Sequence, residues 1–262
     1  MKITLLTSNM PRHNYLINLL SKNCDKLYVL QESRTIFPGI RESNYKVSSI
    51  MSNYFKKVNF YENKIFKNPI LNFKNQNISL YPLIMGDINF IDINKINNFL
   101  KSDLFIVFGT SFLKNKIVEI LIRKKAINIH MGLSPFYKGT DCNFWALYDN
   151  NPHLVGATIH YLTKGIDDGK IIFHALSEHR TNPFEYSMST VMAAFKGIEK
   201  HINNSTLKTL SPINQNKDLT IKYSTKKDFN DNIIKKFMKK NINLKFKFDK
   251  NNFYKNPFIL KK

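Results

Sequence analysis

Three residues of this chain have the types and spacing to hold a developing negative charge and move a proton: Asn128, His130 and Asp167. Asn128 and His130 stand two apart in the apolar run AINIH at 126–130, and on an extended backbone residues two apart project from one face. An asparagine amide can donate to an oxyanion, and an imidazole gives or takes a proton near neutral pH. Asp167 lies in the acidic turn GIDDG at 165–169, between two alternating segments, VGATIHYL at 155–162 and KIIFHALS at 170–177. That pattern predicts antiparallel strands around the turn. A carboxylate brought beside His130 would orient the ring, raise its pKa and help remove a proton from an attacking amine. Asn, His and Asp without a partnered Ser or Cys suit direct attack by an external nucleophile. Ser134 precedes Pro135 without a GxSxG elbow, and Cys142 has no supporting context, so a covalent nucleophile is not expected.

These residues need elements to position them. The run KITLLT at 2–7 is suited to a buried parallel strand, followed by turn residues, a helix over 13–20 and a second strand at 26–31. This βαβ opening contains neither GxGxxG nor GxxxxGK[ST], so no dinucleotide fingerprint or P-loop is present. Arg12 and His13 fall at the helix start beyond a strand end, a place where anionic ligands bind and where a solvated helix start is the plain alternative. Further elements are expected as a helix at 48–61, a strand at 77–83, a helix at 92–101 and a central strand LFIVF at 104–108. Gly109 follows that strand; either a ligand approaches the backbone there or the core turns there. A helix at 114–124, the strand at 126–129, the antiparallel pair and a helix at 183–202 complete residues 1–202. Residues 203–262 change to a polar, basic composition, with a strand at 219–223 and a helix at 228–240 expected in a small C-terminal subdomain. The fold class expected is α/β: a Rossmann-like, mostly parallel sheet with flanking helices and an antiparallel hairpin after the catalytic loop.

Lys and Arg number 40 against 19 Asp and Glu, a net charge of +21. Such a charge attracts polyanions such as RNA or phosphate-bearing substrates. Lysine and asparagine are scattered throughout, however, with no Arg-rich helix, RNP-like motif or zinc-finger spacing, so compositional bias is the preferred account and nucleic acid is not the expected partner. No run approaches the ~20 apolar residues that cross a membrane, and the first residues read as a strand rather than a leader. Two cysteines without CxxC spacing make no disulfide framework, which places the chain in the cytoplasm as an expectation.

Ile127-Asn128-Ile129-His130, the loop Leu133-Ser134-Pro135-Phe136-Tyr137-Lys138-Gly139 and the run from Gly165 to Ile172 (GIDDGKII) resemble the 10-formyltetrahydrofolate-dependent formyltransferases. The resemblance covers most of residues 1–200 in order of elements and is most specific over 104–172. It implies that Asn128 and His130 hold the formyl oxygen, that Asp167 tunes His130 and assists proton removal, and that Asp168 is a neighbour without that role. It further implies 10-formyltetrahydrofolate as co-substrate with no metal, the pteridine lying against Phe108, Gly109, Ser111, Phe112 and Leu113. The glycine-rich first turn with which the purine-pathway members hold phosphate is replaced here by Asn9-Met10-Pro11-Arg12-His13, and the chain looks short for the C-terminal barrel of the tRNA enzyme. Residues 140–147 and 155–160 look more like the sugar-modifying members. The expected acceptor is therefore the amine of a nucleotide-linked amino sugar, serving surface polysaccharide or lipopolysaccharide synthesis, with Arg12, His13, Lys138 and Trp145 as substrate contacts and a homodimer as a possible assembly. Phe144 and Trp145 remain open between core and pocket, and Tyr223 and Phe229 could stack on a base. A methionyl-tRNA formylating enzyme and a non-catalytic folate- or RNA-binding relative are the alternatives.

Overall fold

The computed structural model describes residues 1–33, 48–74, 76–178, 180–246 and 257–261. The buried run Lys2–Thr7 (β1) leads into helix Pro11–Ser21 (α1), where proline takes the first helical turn and leaves no amide to satisfy. Strand Lys26–Ser33 (β2), helix Ser49–Phe66 (α2) and strand Ile78–Ile84 (β3) follow. The Ser48 hydroxyl caps α2 by accepting from the Met51 amide at 3.0 Å. The helix expected at 92–101 is instead a kinked run of 3-10 turns, Ile93–Leu100, with non-helical dihedrals at Ile96. Next come Leu104–Phe108 (β4), Asn115–Arg123 (α3), Ile127–His130 (β5), Tyr137–Gly139 (β6) and Cys142–Tyr148 (α4). Ala157–Tyr161 (β7) and Ile171–Ser177 (β8) are the antiparallel pair read from their alternation.

Helix Pro183–Asn203 (α5) begins on Asn182, whose side-chain oxygen accepts from the amides of Phe184 and Glu185. The last elements are Lys222–Ser224 (β9), Asp231–Met238 (α6) and Phe258–Leu260 (β10). Eight strands make one sheet in the order β10-β8-β7-β5-β4-β1-β2-β3, while β6 and β9 pair separately. From β3 to β5 neighbours run parallel; β7 is antiparallel to both β5 and β8.

β1 pairs with β2 on one side and β4 on the other, so the chain reverses its direction of winding there. Crevices at such a point, beyond the carboxyl ends of the strands, are where open α/β sheets bind ligands. The segment beyond residue 203 does not stand apart. Ile234, Phe237 and Leu244 pack in one cluster with Tyr54, Phe144, Trp145 and Tyr186, and β10 extends the main sheet alongside β8. No helix among the described residues is long and apolar enough to cross a membrane.

Candidate active site

The carboxyl end of β5 and the turn after β7 bring the three sequence-predicted residues together. The His130 Nδ1 stands 3.3 Å from Asp167 Oδ1, and the Asn128 amide nitrogen lies 3.5 Å from the same oxygen. The other carboxylate oxygen, Oδ2, accepts from the Gly139 amide at 3.0 Å. His130 Nε2 faces the Tyr137 carbonyl oxygen at 3.2 Å. A neutral imidazole carries one proton for these two acceptors, whereas an imidazolium serves both.

A fourth member joins them. His160 sits opposite Asn128 across β5 and β7. Its Nδ1 donates to the Tyr161 carbonyl at 2.9 Å, so Nε2 is left as the acceptor for the Asn128 amide at 3.1 Å and lies 3.7 Å from Asp167 Oδ1. Strand alternation alone gives His160 the look of a core position, because its neighbours Ile159 and Thr158 are buried too. The only signal for it was its register against Asn128.

Charge follows from this geometry. Burial drives the His130 pKa down, against the pull of Asp167 upward, with His160 and Lys138 adding to the fall. For Asp167, burial would raise the pKa, but His130, His160 and the Gly139 amide outweigh it and hold the carboxyl down to about 2. As pH falls His130 takes its proton first, and the imidazolium then keeps Asp167 ionised. Asp168 turns away and accepts from the Thr163 hydroxyl, so the adjacent acid serves the turn itself. The Cys142 thiol is buried and pushed well up by that burial, the opposite of an activated nucleophile.

Two cavities share a wall. The smaller, about 260 Å³, is lined by Asn128, His130, His160, Asp167 and the segment 107–113. The larger, about 700 Å³, is lined by Arg12, His13 and an aromatic group that includes Tyr54, Phe144, Phe184 and Phe229. Phe108 to Phe112 and Met131 border both. All five residues expected at the pteridine, Phe108, Gly109, Ser111, Phe112 and Leu113, line the smaller cavity. Gly109 has φ +65°, and a Cβ there would meet His13 Cε1 at 2.3 Å. Gly109→Ala is therefore expected to lower stability by more than about 1 kcal/mol, read as a shifted urea midpoint.

Glu32 fixes this wall, and sequence reasoning missed it. At the end of β2 and with no exposure, its carboxylate accepts from the Gly86 amide, the Ser111 amide and the Ser111 hydroxyl at 2.6–2.8 Å.

The four residues expected to touch substrate separate into two pairs. Arg12 and His13 line the larger cavity. The Arg12 guanidinium and the Arg12 amide both donate to Glu62 Oε1, at 2.7 and 3.2 Å, so a carboxylate from α2 already occupies the N-terminus of α1. His13 Nδ1 accepts from the Ser8 amide at 3.2 Å and pairs with the Thr7 hydroxyl at 2.7 Å. Lys138 and Trp145 line neither cavity. Trp145 is 2% exposed in the core beneath the Lys222 ammonium, 4.0 Å from its ring centre, because its face of α4 packs inward. Lys138 is 6% exposed on β6, which β9 covers. Phe144 serves both core and cavity wall. Phe229 reaches the larger cavity, whereas Tyr223 is half exposed on β9.

A part-buried amide donor and a carboxylate–imidazole pair, set on a cavity beside a second and larger one, are parts that an acyl-group transfer would use. The formyl transferase family model matches residues 92–207, less than half of the chain but including Asn128, His130, Asp167 and the 107–113 wall. Over that stretch the chain matches the formyl transferase model, and the resemblance read from the Asn-x-His, loop and GIDDG motifs is borne out. Solved structures share the fold. A sugar N-formyltransferase from Shewanella sp FDAARGOS_354 is 17% identical with a TM-score of 0.53, covering 87% of this chain and 78% of that one. A 4-N formyltransferase from Francisella tularensis is 22% identical at TM-score 0.51, over 87% and 77%. A phosphoribosylglycinamide formyltransferase from Anaplasma phagocytophilum is 18% identical at TM-score 0.50, over 86% and 98%.

Proposed function

We propose that this chain transfers a formyl group from 10-formyltetrahydrofolate to the amine of a nucleotide-activated amino-deoxy sugar. The observation that carries the reading is the placement of Asn128, His130 and Asp167 on the smaller of two cavities that share the 108–112 wall. A donor held in one cavity and an amine entering from the other meet beside these three side chains. The smaller cavity suits a flat heterocycle: Val107, Phe108, Leu113, Val118, Ile129 and Leu162 supply apolar walls, and Asn128, His130, His160 and Asp167 supply polar groups. When bound, 10-formyltetrahydrofolate would supply the formyl carbon, which bonds to the amine nitrogen as its bond to N10 breaks.

Asn128 Nδ2 and a ring N–H of His130 are the donors for the formyl oxygen as it becomes an oxyanion. A 3.2 Å contact from His130 to the Tyr137 carbonyl is readily exchanged for a charged acceptor. Asp167 supplies the counter-charge that sustains the imidazolium and receives the proton shed by the amine, for return to the leaving nitrogen.

The larger cavity supports this choice of acceptor. Its aromatic lining offers faces to a base or sugar ring, with Lys226 available to phosphate. The N-terminus of α1, the natural seat for the phosphate of a ribonucleotide acceptor, is taken by Glu62, which weighs against the purine-type substrate.

Released tetrahydrofolate, measured across nucleotide-linked amino sugars, glycinamide ribonucleotide and charged initiator tRNA, tests the reading. Turnover is expected with a sugar nucleotide and not with the other two. Turnover with tRNA alone, steeply dependent on salt, would overturn the choice of acceptor.

A further inference from the structure

We propose that Gln215 is a positioning residue for Asp167, and that residues 213–224 hold the catalytic turn in its working conformation. The proposal rests on Asp167 acting as the function above requires. Gln215 Nε2 donates to two carbonyls of that turn, Asp167 O and Gly169 O, each at 2.8 Å. Those two bonds span Asp168 and fix the turn on both sides of it. Asp167 itself has φ +50°, the left-handed region that few non-glycine residues adopt, so its conformation needs outside support. The Gln215 oxygen, Oε1, is buried with no hydrogen-bond partner among the described residues. The side chain is thus placed for its two donors, at the expense of its acceptor.

The neighbours of Gln215 hold the other half of the arrangement. Ile213 exchanges two backbone hydrogen bonds with Ile171, at 2.8 and 2.9 Å, anchoring the segment to the start of β8 just beyond the turn. Further on, β9 pairs with β6 in a register that sets Ser224 beside Gly139. Gly139 is the residue whose amide donates to Asp167 Oδ2. A Cβ on Gly139 would meet the Ser224 carbonyl oxygen at 2.0 Å, which shows how closely β9 presses on that strand. One C-terminal segment therefore secures the backbone of the Asp167 turn and the strand that fixes its carboxylate.

The test reads His130 directly. The groups facing His130 are Asp167 and His160 from the β7–β8 side, Lys138 and the Tyr137 carbonyl from β6, and Cys142 from α4 across Gly132. Its ring titration is followed by NMR in the full-length chain for wild type, Gln215→Ala, Asp167→Asn and the double variant. Asp167 pulls the His130 midpoint upward, so Gln215→Ala is expected to lower it and to add nothing once Asp167→Asn is present. With turnover established, kcat for Gln215→Ala is expected to fall about ten- to a hundredfold with KM for both substrates within about twofold, the pattern of a misplaced group. Gln215→Met, of similar length but without the two donors and without charge, is expected to behave alike. A His130 midpoint unmoved by Gln215→Ala overturns the proposal whether or not formyl transfer is detected. An absence of turnover in wild type, with the midpoint shift intact, overturns the functional reading alone.

Discussion

Asp167→Asn is expected to reduce kcat for formyl transfer by about 10²–10⁴ while the chain stays folded. The substitution keeps the size of the side chain and removes the charge that opposes His130 burial. His130 then loses the larger of the two neighbours that raise its pKa, Asp167 and the Tyr137 carbonyl, and its midpoint falls further below the ordinary 6.5. An amide also cannot receive the amine proton. The pH dependence of stability carries a second signature. In the wild type the Asp167 pKa is depressed from 3.8 to about 2, so its contribution is complete above about pH 4 and is lost as pH falls toward 2. His130, with a lowered pKa, acts at higher pH: below 6.5 the unfolded chain takes a proton that the folded chain resists, and stability declines until the folded ring titrates. Asp167→Asn should abolish the first loss and extend the second to lower pH, both measurable by urea unfolding across a pH series. Retention of more than about a tenth of wild-type kcat would sink the assigned role.

The parts of this site that could be read from sequence are the local ones. Asn128 and His130 share a strand end, and Asp167 sits in a turn whose flanking segments alternate; short-range geometry places all three. The sheet was legible for the same reason, since uninterrupted apolar runs such as 104–108 have few other uses. What escaped comes from distant parts of the chain. Glu32 and Ser111, or Glu62 and Arg12, meet only because of how β2, β4, α1 and α2 pack, and a lone Glu in a polar stretch announces no partner. Gln215 lies in a stretch rich in Asn and Lys, where one more amide carries no signal. Trp145 lines neither cavity because α4 is buried on almost all sides, so an aromatic beside the motif had no need to face one. The strand β10 was hidden by its length, three residues that depend on β8 for pairing.

Glu32→Ala is expected to be the most destabilising of the changes around the donor cavity. Its carboxylate is fully buried and accepts three hydrogen bonds, two from Ser111 and one from Gly86. Hydrogen bonds to a charged group are worth about 1.5–3 kcal/mol each, and removing the acceptor leaves the part-buried Gly86 and Ser111 amides without it, so a loss of about 3 kcal/mol is expected. Glu32→Gln should fall between, because its oxygen can keep one set of donors while its NH₂ confronts another N–H. The catalytic effect has a different form from that of Asp167→Asn. Glu32 ties the end of β2 to the 109–113 wall through Gly86 and Ser111, whereas Asp167 is held by His130, Asn128 and the Gly139 amide. Under the proposed reading, loosening that wall weakens the seat of the formyl donor without moving Asn128, His130 or Asp167. KM for 10-formyltetrahydrofolate should therefore rise about tenfold, while kcat at saturation changes far less. Measured at a temperature where each variant is folded, a fall in kcat with an unchanged KM would show that the wall does not hold the donor.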